Sequence, residues 1–285
     1  MSAVGALSSG GGASPRNAPP GGPRAPLDPP SAPGDGALAR LTGARRPWGA
    51  VGIAALFGAW ALAASRWPPH VLPGPQVVAA TLLDERAALA GHALRTTRRV
   101  LLGYGAAVVI GLPLAVLLAA VPRADRQVGT LLTSLRAIPP FAWTPLLLLW
   151  VGVGDTSAAA VVFAGALFPI VRHARAGFAS VPPALVLAAR NLGAGPWAYW
   201  TGVMLPGAAP LLFTGLRLGW ALAWMSVVAA ELVGADGGLG QLILDARNLA
   251  RPDLAIAGMV TIGALAAASE RAFAGVERRV LRWRA

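Results

Sequence analysis

The chain alternates long apolar runs with short segments in which proline, glycine and arginine gather. About twenty apolar residues in a helix cross the hydrocarbon core of a bilayer. Six stretches reach that length: Pro47 to Ser65, Val100 to Val121, about Gln127 to Gly152, Thr156 to about Phe178, about Ala208 to Leu232, and Leu254 to about Phe273. The first two carry no charge. The third holds Arg136 and a Pro139-Pro140 pair that kinks or breaks a helix, and the fourth meets Arg172 and Arg175 near its end. The fifth contains Arg217, and the sixth ends with Glu270 and Arg271. This pattern predicts an all-α, polytopic membrane protein with six transmembrane helices.

One polar insert interrupts the pattern between the fourth and fifth runs, from Val181 to Pro210. Pro182 and Pro183 suit the first turn of a helix, where a missing N–H costs nothing, and Gly193 suits the left-handed residue that ends one. A short helix from about Pro183 to Leu192 follows. Gly195-Pro196 restarts the chain as a second short helix, which Pro206 and Pro210 are expected to interrupt before the next apolar run. The result is a two-helix elbow beside a membrane, at about 181–206.

Composition agrees with the membrane class. Hydrophobic residues make up 55% of the chain and charged residues 13%, against roughly a quarter charged in soluble domains. All 24 basic residues are arginine and there is no cysteine. Without lysine the chain has no P-loop, whose lysine reaches the nucleotide phosphates, so it is not expected to be an ATP-hydrolysing enzyme, and any ATP hydrolysis is expected on a separate subunit. His70, His92 and His173 are far apart, and no metal site, cofactor or nucleic-acid partner is expected.

Residues 1–46 are dominated by Gly, Pro, Ala and Ser and are expected to form a disordered tail, with residues 47–285 as the transmembrane domain. Placing the tail inside leaves fifteen arginines on the cytoplasmic side and seven on the other, with Arg136 and Arg217 within spans. The positive-inside rule then puts both termini and the elbow in the cytoplasm. It leaves Arg95, Arg98 and Arg99 at the outer mouth of span two.

An intramembrane charge is a candidate for pathway or pairing. Arg136 and Arg217 both sit where a long side chain reaches the headgroups, so snorkelling and structural pairing stand beside contact with a permeating anion. Glu231, at the outer end of span five, is a candidate to pair with an arginine of span two or the outer loops. It is also a candidate to contact a delivery protein.

Ala188-Ala189, three residues, Gly193, nine residues, Val203, one residue and Leu205-Pro206 resemble the coupling-loop signature of ABC importer permeases. That signature opens on Glu, where this chain has Leu187. The resemblance extends from about His92 to Trp283. His92, Thr96, Arg99, Gly103 and Tyr104 are similar to the start of the second span in the nitrate, sulfonate and taurine branch. Arg136-Ala-Ile-Pro-Pro, Trp143-Thr-Pro-Leu and Trp150-Val-Gly-Val-Gly are similar to that branch's third span, and Phe168-Pro-Ile, Gly215-Leu-Arg217, Glu231, Gly238-Leu-Gly and Asn248 complete the likeness in order.

The resemblance implies a bacterial cytoplasmic-membrane permease that works as a homodimer, with separate ATP-binding cassette subunits and an extracytoplasmic substrate-binding protein. It implies ATPase docking through Leu185, Leu187, Ala188, Ala189, Arg190, Leu192, Gly193, Leu205 and Pro206. The branch implies small oxyanions, with aliphatic sulfonates or taurine first, nitrate or bicarbonate second, and a thiamine precursor third. A secondary transporter, which usually shows internal repeats, and an intramembrane enzyme are the readings from other classes. Anionic lipid is a further partner for the arginines at 278–284.

Overall fold

Helices form where the apolar runs lie, and proline and glycine set most of their ends. A computed structural model of the protein describes residues 48–135 and 137–282. The expected tail, residues 1–46, lies outside them, as does Arg136. In chain order the helices are α1 (Trp48–Ala64), α2 (Pro75–Asp84), α3 (Arg86–Ala120), α4 (Pro122–Leu135), a 3-10 turn (Pro140–Trp143), α5 (Thr144–Val151), α6 (Asp155–Ala179), α7 (Pro183–Asn191) and α8 (Pro196–Tyr199). A π turn (Trp200–Met204), α9 (Leu205–Gly234), α10 (Leu239–Asn248) and α11 (Pro252–Val280) complete the order. No strand occurs among the described residues.

Four helical stretches are long and apolar enough to cross a membrane: α3, α6, the continuous run Pro196–Gly234, and α11. Two expected spans are shorter. The first is the 17-residue α1. The third is not one helix, because Pro139 and Pro140 divide it into the amphipathic α4, the 3-10 turn and the eight-residue α5. Proline removes a helical N–H and clashes with the carbonyl four residues back, and two in succession stop the helix.

Span two also begins earlier than expected: α3 starts at Arg86, so Arg95, Arg98 and Arg99 belong to the helix. The expected interruption at Pro206 and Pro210 does not occur, since α9 runs through both. The π turn ends just before it, and Pro206 falls in the first turn of α9, where a missing N–H costs little. Pro210 then leaves one carbonyl without its helical donor, which membrane bundles tolerate.

Small residues hold the bundle together. Without a hydrophobic force between helices in lipid, association depends on close packing, and small residues let backbones approach. Along α3, Gly103, Ala107, Gly111 and Ala115 recur every four residues and are all buried. A Cβ on Gly103 would lie 2.6 Å from the Val162 Cβ of α6. Along α9, Gly215, Gly219 and Ala223 do the same, and a Cβ on Gly219 would lie 3.2 Å from the Ala166 carbonyl. Helix α6 therefore sits between α3 and α9, parallel to the first and antiparallel to the second.

This arrangement gives the bundle two chemically different ends. At one, Ala115, Leu118, Val171, Phe178, Val181, Met204 and Ala208 form an apolar cluster beneath α7. At the other, roughly 25 Å away along α3 at 1.5 Å per residue, lie Arg99, Asp155 and Glu231. A separate ion-pair group ties α2 to α11. There Arg251 bonds Glu85 at 2.9 Å and Asp253 at 3.0 Å, and Thr81 donates to Asp253 at 3.0 Å.

Candidate functional site

Helix α7 ends in a Schellman motif written by the sequence: Gly193 has φ +71°, its N–H donates to the Arg190 carbonyl at 3.0 Å, and the Ala194 N–H donates to the Ala189 carbonyl at 3.0 Å. Arg190 sits in the last turn, where a cation meets the negative end of the helix dipole. Its guanidinium also lies 5.9 Å from the centre of the Tyr199 ring. These contacts fix α7 to α8 as a rigid corner.

The corner divides the expected docking residues into two sets. Ala189 is buried, and Val181 beside the helix packs against the backbone of Gly207. Ala188, Leu185 and Leu187 face outward, and Leu192 and Trp197 are 87% and 81% exposed. Leu185, Ala188, Ala189, Leu192, Val203 and Pro206 line an apolar groove of about 530 Å³, and Leu205 is exposed next to it. A row of large apolar side chains held out on a rigid corner is suited to bind a partner surface, and isolated soluble faces rarely expose so much.

The opposite end is built on Arg99, which is wholly buried. Its guanidinium has five N–H groups, and each one is used. Nε donates to Asp155 Oδ1 at 2.7 Å, and Nη2 donates to the same oxygen at 2.5 Å and to the Asp236 carbonyl at 3.2 Å. Nη1 donates to Glu231 Oε1 at 2.9 Å and to the Gly237 carbonyl at 2.5 Å. Glu231 also accepts from Thr96 Oγ1 at 2.9 Å and from the Gly240 N–H at 2.8 Å. Thr96 in turn accepts from the Leu239 N–H at 2.9 Å, and the Gly238 N–H lies 3.1 Å from His92 Nδ1. A buried charge is costly unless paired and hydrogen-bonded, and here both conditions are met.

Glu231 is thus buried against Arg99 of α3. Arg217 is half exposed and bonds Glu270 of α11 at 3.0 Å. Arg136 lies outside the described residues. The sequence reading offered an arginine of span two as a partner for Glu231, and Arg99 is that arginine; it missed Asp155, and it did not use the i, i+4, i+7 spacing by which His92, Thr96 and Arg99 continue the buried stripe of α3. Outside the spans, hydrogen bonds to Asp253 and Glu85 raise the pKa of Arg251 above the ordinary arginine value, so it stays charged. Among the described residues no group of histidines and carboxylates is placed to hold a metal.

Residues 107–282 match the family described as binding-protein-dependent transport system inner membrane component. The chain is 32% identical over 222 residues to the taurine transport system permease protein of Escherichia coli, covering 75% of this chain and 81% of that one. It is 32% identical over 183 residues to the nitrate import permease protein of Synechocystis sp., covering 64% and 66% respectively. Among solved structures, inward-facing conformations of the MetNI methionine ABC transporter superpose with a TM-score of 0.61 at 25% identity, over 69% of this chain and 98% of that one. With a rigid apolar corner at one end, a closed polar cluster at the other and close-packed helices between, this chain belongs to that inner-membrane component family, as a multi-pass permease of the binding-protein-dependent ABC importer type.

Proposed function

We propose that this permease imports a small oxyanion, an aliphatic sulfonate or taurine first, as one half of a homodimer. Two separate ATP-hydrolysing subunits dock on α7 in the cytoplasm, and an extracytoplasmic substrate-binding protein delivers at the Arg99 end. The chain spans the membrane six times, with α1 and the broken α4–α5 segment adding to the four long spans, and keeps both termini inside. The observation that carries the docking site is the exposed apolar row Leu185, Leu187, Leu192 and Trp197 on the α7–α8 corner. With Leu187 in place of the usual acidic residue, docking is apolar, and Arg190 is engaged with Tyr199 within the corner.

The packing supports a mechanical route from that row to the bundle. Val181 fits against Gly207, where a Cβ would lie 3.0 Å from the valine side chain, and Gly177 of α6 is so close to α9 that a Cβ would lie 3.0 Å from the Ala208 carbonyl. Close-packed contacts transmit displacement with little compression. When the ATPase subunits close, the corner moves as a unit and takes the ends of α6 and α9 with it.

The taurine and nitrate permeases among the relatives support an oxyanion substrate. Arg217 and Glu231 are assigned to pairing within the bundle. Arg136 is the residue whose substitution tests contact with a permeating anion.

The test is growth of a strain lacking this chain alone, with no redundant uptake system, on taurine or an alkanesulfonate as sole sulfur source, with sulfate as control. Loss of growth on the organosulfur sources alone, restored by the intact gene, is the expected result. Normal growth there with loss of growth on nitrate would move the substrate to nitrate, and bicarbonate and thiamine precursors are scored in the same way. Loss on none of them would contradict the oxyanion importer.

A further inference from the structure

Two turns meet at Arg99, and both are built on glycines in backbone regions that other residues rarely adopt. Gly152 (φ +88°) and Gly154 (φ +133°) lead directly into Asp155 and α6. Gly237 (φ +85°) and Gly238 (φ +112°) join α9 to α10. Gly238 has no room for a side chain, since a Cβ there would meet the buried Glu231 carboxylate, whereas at Gly237 the positive φ is what favours glycine. Arg99 holds the first turn through Asp155 and the second through the carbonyls of Asp236 and Gly237. One side chain of α3 therefore fixes the ends of α6 and α9 together.

The two holds differ in their exposure. Glu231 is sealed from solvent and has Thr96 and Gly240 as further partners, whereas the Asp155 side chain is 48% exposed and is held through one oxygen. An exposed ion pair is weakened by solvent and can be competed for, while a buried one is not easily broken. The opening order follows: the Asp155 arm releases before the Glu231 arm.

We propose that Arg99 is a positioning residue for transport, a latch that keeps the two glycine turns closed, with Asp155 as its releasable arm. The inference rests on the importer reading, which places this end of the bundle under the binding protein. Docking of that protein frees Asp155, α6 swings on the Gly152–Gly154 turn, and the outer end opens while the 236–240 segment stays anchored to Glu231. Arg99 itself touches no substrate, because all its donors are occupied within the chain.

The natural absence of cysteine allows a direct test. Ala158, 2% exposed just inside the start of α6, and Ala115, wholly buried at the other end, are each replaced by Cys in the detergent-solubilised complex with its ATPase subunit. Maleimide labelling is then timed with and without Asp155→Ala, a change at a half-exposed side chain that avoids the folding risk of Arg99→Ala. Local opening is expected to raise labelling at position 158 by at least about tenfold, the effect of losing two charge-assisted hydrogen bonds, with position 115 unchanged. In the same variant, ATP hydrolysis without the binding protein is expected to rise and the stimulation by that protein to shrink. Asp155→Glu is expected to restore both.

Unchanged labelling at 158 would overturn the latch, as would equal labelling at 115, which marks general loosening, or local opening with unaltered ATPase stimulation. If the unsubstituted complex shows no response to any binding protein, the importer reading fails instead, whatever Asp155 does.

Discussion

The Arg99 cluster and the α7–α8 corner lie at opposite ends of one bundle and are finished to different degrees. Every N–H of the Arg99 guanidinium has an acceptor, supplied by α6, α9 and the turn after α9. At the corner the backbone is equally well capped, yet Leu192 and Trp197 are almost wholly exposed. Burying a large apolar side chain is worth about 1.5–3 kcal/mol, and the chain forgoes that gain there. The contrast separates what this protein completes alone from what it leaves for a partner.

The strongest way to break that contrast is to unpair the cluster. Arg99→Ala leaves Glu231 buried without its cation, and the bundle is expected to lose about 3–5 kcal/mol, read as a fall in folded yield and in thermal stability of the purified protein. A variant as stable as the parent would mean the cluster is not a closed unit. The corner should respond in the opposite way. Trp197→Asp is expected to leave stability within about 0.5 kcal/mol while weakening capture of the ATPase subunit by about 30-fold, the scale of one interface hot spot, measured by titrating that subunit against the solubilised permease.

A smaller effect sharpens the first region further. Gly238→Ala adds a Cβ where the Glu231 carboxylate sits and strains a backbone at φ +112°, for an expected loss of about 2 kcal/mol in thermal unfolding. The smallest effect belongs between the two ends. Arg217→Ala removes an exposed pair with Glu270 and is expected to cost less than about 1 kcal/mol and to leave uptake near the parent level. A large loss of uptake at unchanged stability would return Arg217 to the pathway.

Much of this was legible in the sequence because it depends on local rules. Proline and glycine positions alone set α7 and its left-handed end at Gly193, and the four long apolar helices contain the predicted second, fourth, fifth and sixth apolar runs. The pairing of Glu231 with an arginine of span two was open to the sequence, but the full burial of Arg99 and its bond to Asp155 were hidden for a physical reason. A basic triplet at the edge of an apolar run looks like an interfacial anchor, and its neutralisation depends on Asp155 and Glu231, 56 and 132 residues away. Only the helical spacing of His92, Thr96 and Arg99, in line with Gly103 and Ala107, pointed inward. The π turn before Pro206 was also hidden, because sequence rules for proline assume an ordinary α turn.

The measurement that tests the contrast most directly is made on a Leu192→Asp, Trp197→Asp double variant, purified from membranes that also contain the ATPase subunit. Thermal stability and bound ATPase are read from the same sample. An unchanged unfolding temperature with the ATPase subunit lost is the predicted result; an ATPase subunit retained at the parent level would contradict the assignment of this corner as the docking surface.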